Sequence, residues 1–139
     1  FCWVRHAVVG GSVAVNDSRG VERLVTGPFA GLRVGPLTWM GEVDIARTQT
    51  GGGGDNDQVI AFTSLEYWAR NAVSLRVAFD FHDPYDGVEE DERSRLSIGF
   101  DAFLTPFMTA GLHYRSRDSV PQDVEGNADA LTVSLHAFF

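Results

Sequence analysis

Along most of the chain every second residue is apolar, the repeat of an extended strand whose two faces meet different surroundings. At the C-terminal end Leu131, Val133, Leu135, Ala137 and Phe139 alternate with Thr132, Ser134 and His136, and only Phe138 breaks the pattern. Further back, Met108, Ala110, Leu112 and Tyr114 alternate with Thr109, Gly111, His113 and Arg115. Leu96, Ile98, Phe100 and Ala102 alternate with Arg95, Ser97, Gly99 and Asp101. Val73, Leu75, Val77, Phe79 and Phe81 alternate with Ser74, Arg76, Ala78, Asp80 and His82. Leu37, Trp39, Gly41, Val43 and Ile45 alternate with Thr38, Met40, Glu42, Asp44 and Ala46. Residues 59–69 are noisier, with Ser64 and Glu66 on the polar side, and residues 3–15 and 23–34 are weaker still and rich in glycine. The pattern predicts an all-β chain of about eight strands, each of about ten residues, the length with which a tilted strand crosses a bilayer.

The connections carry a second signal. Gly35-Pro36, Ala69-Arg70-Asn71-Ala72 and Leu104-Thr105-Pro106-Phe107 are short, whereas residues 16–22, 48–58, 83–94 and 118–128 form longer polar stretches. Short and long connections alternate strictly, as they do in an antiparallel up-and-down barrel with short turns at one rim and long loops at the other. A soluble barrel or sandwich would alternate in the same way with its apolar face inward, so periodicity alone does not choose the face. Aromatic residues near the short-turn ends, Trp39, Tyr67, Trp68, Phe103, Phe107 and Phe139, favour a membrane reading in which they form an interfacial girdle.

Composition changes the picture in three places. Mean hydropathy is −0.07 and no run approaches the roughly 18 apolar residues of a membrane helix, but membrane strands need no such run. The net charge of −8 argues against nucleic-acid binding, which requires Lys and Arg to neutralise phosphates. A single cysteine, Cys2, excludes an internal disulfide and a cysteine-based metal site. The chain opens at Phe1 without a charged-then-apolar leader. An outer-membrane protein carries such a leader, so an N-terminal portion is expected to precede these residues.

The last strand, with Leu131, Val133, Leu135 and Ala137 leading to the terminal Phe139, resembles the C-terminal region of bacterial outer-membrane β-barrel proteins of the porin-like type. The resemblance implies a single barrel domain over residues 1–139, forming the C-terminal part of a longer transmembrane barrel in the outer membrane. It implies that Leu131, Val133, Leu135, Ala137 and Phe139 are read by the barrel-assembly machinery. Lipid-facing residues would be Leu37, Trp39, Val43, Val73, Leu75, Val77, Phe79, Leu96, Ile98, Phe100, Leu112, Tyr114, Leu131, Val133 and Leu135. Lumen-lining residues would be Glu42, Asp44, Glu66, Arg76, Asp80, His82, Arg95, Asp101, His113 and Arg115, with Arg33 and Arg117 joining them. With a periplasmic C-terminus, parity places every long loop outside the cell.

Three functions fit this frame. The first is a porin-like channel that passes small solutes along a lumen of mixed charge. The second is a non-conducting structural or surface-binding barrel that meets lipopolysaccharide, a surface protein, or a periplasmic partner it surrounds as a sheath. The third is a barrel enzyme built on His82 or His113. His82 and Asp80 share a strand face, as a general base needs, yet no activated-serine motif accompanies them, so no catalytic residue is assigned. Gly51 to Gly54 are followed by Asp55, whose charge would repel a phosphate, and read as a loop. Asp83, Asp86, Glu89, Glu90, Asp91 and Glu92 form an acidic loop without EF-hand spacing. It reads as a solvated loop, as a cation bridge to lipopolysaccharide, or as a cluster that repels anions at a pore mouth. No cofactor and no metal site is expected.

Overall fold

A computed structural model describes residues 4–18, 21–50, 54–69, 72–85, 91–118 and 127–138. It contains eight strands: β1 (Val4–Ser18), β2 (Val21–Val34), β3 (Leu37–Thr50), β4 (Gly54–Ala69), β5 (Val73–Asp83), β6 (Arg93–Thr105), β7 (Met108–Asp118) and β8 (Ala130–Ala137). They form one antiparallel sheet in sequence order, each strand paired with the next, so the all-β, up-and-down architecture is the expected one. The eight strands do not close on themselves, and β1 and β8 are the two edges.

Two details of the loop pattern differ from the sequence reading. The ladder of β1 and β2 runs to Ser18↔Val21, and that of β3 and β4 to Thr50↔Gly54. Their connections, residues 19–20 and 51–53, are as short as the turns at the opposite rim. Only residues 84–92 and 119–129 remain long. Polar residues such as Asp17, Glu22, Thr48 and Asp57 look like loop in the sequence, but they continue their strands beyond the apolar segment. At the other rim Gly35 turns the chain at φ 58°, a left-handed conformation that favours glycine, and Pro36 has no N–H to leave unpaired. The Pro36 carbonyl then accepts the Trp68 N–H at 2.9 Å.

Register sorts the side chains. One face carries Leu37, Trp39, Val43, Val73, Leu75, Val77, Phe79, Leu96, Ile98, Phe100, Leu112, Tyr114, Leu131, Val133 and Leu135. On this face the apolar runs of β2 (24–34), β3 (37–45), β4 (59–69) and β5 (73–81) contain nine to eleven residues each and no charged side chain. These large side chains stay exposed, Ile98 at 48% and Leu112 at 46%. The buried residues Ala46, Ala78, Ser64 and Ser74 lie on the opposite, polar face. They are small and sit among longer neighbours, as Ser74 does between Trp68 and Asp101.

The aromatic girdle needs one correction. Trp68 and Phe103 fall on the polar face, where they stack across β5 with ring centroids 5.8 Å apart. Ser74 between them is too small to keep them apart. Trp39 and Tyr67 do lie on the apolar face, and Phe139 lies outside the described residues.

The tightest backbone approach is at Gly27, where a Cβ would strike the Val43 carbonyl and the Asp44 side chain. Gly27→Ala is expected to force β2 from β3 and cost about 1–3 kcal/mol. Urea unfolding checks this, with Gly11→Ala as the control, since its Cβ would meet only the Gly27 carbonyl at 3.4 Å.

Candidate functional site

The polar face gathers all ten residues expected to line a lumen: Glu42, Asp44, Glu66, Arg76, Asp80, His82, Arg95, Asp101, His113 and Arg115. The antiparallel ladder sets them in rows about 4.8 Å apart from strand to strand. Across β5–β8, Arg76, Gly99, His113 and Thr132 form one row. Ser74, Asp101, Gly111 and Ser134 form the next row toward the short turns. Ala78, Ser97, Arg115 and Ala130 form the next row toward the loops. Floor positions are therefore glycine, alanine or serine, and the long side chains stand around them. A recess of about 460 Å³ results, with Arg76, Arg95, Arg115, His113 and His136 in its lining.

One ion pair and one imidazole–carboxylate contact organise this wall. Arg95 donates to Asp80 at 2.9 Å, directly across the β5–β6 ladder. His113 Nε2 lies 3.0 Å from Asp101 Oδ1, a diagonal contact across β6 and β7. That contact needs bare backbone beneath it. A Cβ at Gly99 would strike the His113 ring, and one at Gly111 would meet Asp101, Ser134 and His113 together, at 2.6, 2.7 and 2.9 Å. Gly111 is thus closed to a side chain.

The His82–Asp80 pairing considered for general-base chemistry is not made. Asp80 is engaged by Arg95, and His82 lies in a neighbouring recess of about 450 Å³ with Arg93 and Arg117. The imidazole–carboxylate pair the structure does form, His113 with Asp101, uses the Nε2 that a serine nucleophile would require. Sequence reasoning overlooked Ser97, Ser134 and His136 as neighbours of this site. Their parity within β6 and β8 was the available signal, but which residues share a row emerges only with the register.

The apolar face has its own polar fastenings. Trp39 Nε1 donates to Thr63 Oγ1 at 3.0 Å, which satisfies the indole N–H within the belt. At the long-loop rim Arg47 makes two 2.9 Å bonds to Asp57, and the Tyr114 hydroxyl donates to Asp129 at 2.7 Å. Of the acidic loop, Asp83, Asp91 and Glu92 are described and residues 86, 89 and 90 lie outside the described residues, as do Gly51 to Gly53. No group of three potential metal ligands occurs among the described residues. Compared with protein-family models, curated proteins and solved structures, the chain matches none.

The hydrogen bond from Tyr114, helped by Ser116, holds the Asp129 carboxyl below its ordinary value of 3.8. A depressed folded value stabilises the folded state above the unfolded value, and that contribution is lost as pH falls through the folded one. An NMR titration of Asp129 should therefore show a midpoint below 3.8, and Tyr114→Phe should move it back up.

Proposed function

We propose that this chain forms part of the wall of a porin-like channel in a bacterial outer membrane, with the apolar face toward lipid and the polar face lining a solute path. The observation that carries this reading is the uncovered apolar face. A water-soluble sheet hides its apolar side chains, yet here they stay exposed along one side of a single layer. Apolar runs of nine to eleven residues match the reach of a tilted membrane strand, and the charges on that face, Asp17, Glu22, Arg47, Asp57, Asp83 and Asp118, all lie beyond them at one rim. In this reading Leu131, Val133, Leu135, Ala137 and Phe139 serve the assembly machinery, and lipid and lipopolysaccharide are the surrounding partners.

One observation favours a second reading, a barrel whose interior holds a protein partner. Val8 and Met40 lie on the polar face and are each 54% exposed, a poor fit to a purely aqueous path. Single-channel recording of the full-length protein in a planar bilayer separates the two. Salt-dependent openings are expected for the channel, and an inserted protein without conductance would turn the assignment to the partner-filled form.

The face assignment has its own check. Leu112 pairs with Phe100 and Val133 inside the apolar belt, so Leu112→Lys should cost about 2–4 kcal/mol when the protein is unfolded from bilayers. Thr109→Lys, on the opposite face beside Phe103 and His136, should cost much less. Equal costs would remove the membrane reading.

A further inference from the structure

The whole chain carries a net charge of −8, but that charge is not spread evenly over the sheet. On the polar face of β5–β8 stand five guanidiniums, Arg76, Arg93, Arg95, Arg115 and Arg117, against two carboxylates, Asp80 and Asp101. Both carboxylates are already engaged, Asp80 by Arg95 and Asp101 by His113. Of the remaining acids, Glu42, Asp44 and Glu66 stand on the polar face of β3 and β4, and the others lie on the loops and on the outer rim of the apolar face.

Arg76 and Arg115 are the consequential pair. Neither makes an ion pair among the described residues. Arg76 faces Glu66 across the β4–β5 ladder and has Asp101 on the diagonal of β6, and it closes an ion pair with neither. Arg115 has none, since its neighbours on this face are Ser97, Ala130, His113 and Arg117. Ser97 lies within one ladder step of Arg76, Arg95 and Arg115, so three guanidinium-bearing positions surround one hydroxyl over a floor of Ala78, Ser97 and Gly99. The 460 Å³ recess there also takes in the hydroxyls of Thr132 and Ser134. One carboxylate, Asp80, lines the recess and accepts from Arg95 through Oδ2, against three guanidiniums, so the charge of the lining is mainly positive. A planar guanidinium presents paired N–H groups that suit the oxygens of phosphate or carboxylate, and hydroxyls complete such a shell.

We infer that the recess between Arg76, Arg95 and Arg115 is a binding site for small oxyanions, and that it makes the solute path prefer anions. The site lies on the face opposite the apolar belt, so its ligand is a dissolved anion rather than a bilayer headgroup. Selectivity rests on the channel reading proposed above. Binding does not.

The experiment has one arm for each. Inorganic phosphate is titrated into the full-length protein folded in neutral detergent and followed by calorimetry. Saturable binding is expected, weakened about fivefold by Arg76→Gln and by Arg115→Gln. Arg76→Lys, which keeps the charge but loses the paired N–H groups, should bind between the parent and the Gln variant, and Arg33→Gln, on the same face of β2 but remote from the recess, should bind nearly as the parent does. Absent binding, or binding that the Gln variants leave unchanged, overturns the site. In planar bilayers under a KCl gradient, the reversal potential should report anion preference and move toward cation preference in the double Gln variant. Cation preference in the parent overturns the selectivity claim. Phosphate binding without conductance upholds the site and overturns the channel.

Discussion

Antiparallel pairing of each strand with the next commits every side chain to one of two faces, and the rest of the molecule depends on that constraint. From β2 to β7 each backbone is bonded on both sides, so no strand can slip by one residue without reversing all its side chains. The result is a sheet one layer thick with scarcely any interior: the residues it buries are alanines, serines and glycines. Such a layer does not hold itself together by a hydrophobic core. Nothing among the described residues covers its apolar side, and in the proposed reading a bilayer would do so without demanding specific contacts.

The same constraint builds the polar wall. Side chains too far apart in sequence to suggest contact become neighbours because the ladder puts them in one row, as it does for Arg95 with Asp80. Small residues beneath them matter as much as the charges above. Gly99 and Gly111 leave room for the His113 ring to lean toward Asp101, and Ala78 and Ser97 leave a floor between arginines. Charge is thereby divided by face and by strand, which the net charge of the chain conceals.

Much of this was legible in the alternation alone. Among the described residues, those read as one face from their parity do share a face, because period 2 is a property of the extended backbone and needs no tertiary information. What the sequence hid was set by other physics. The rims of β1–β4 read as loops because their polar residues resemble turn residues, and only pairing, Arg47 with Asp57 among others, shows that they continue the ladder. Trp68 and Phe103 were read as girdle residues from their position along the chain, but their parity puts them on the polar face, stacked over Ser74. In the recess, parity could nominate Ser134 and His136, but only register could place them beside Arg76 and His113.

The described strands are even in number, and this has a consequence for how the sheet can grow. β1 ascends from the short-turn rim and β8 descends to it, so the two free edges run in opposite senses. A ring made by joining them directly would keep the antiparallel bond pattern throughout. So would a ring enlarged by whole hairpins, since each adds one ascending and one descending strand. Circumference can therefore change in steps of two without moving any turn to the other rim or turning any side chain over. An odd insertion would leave two parallel neighbours at the seam, with slanted bonds in place of perpendicular ones. Parity is thus what separates the width of such a wall from its orientation.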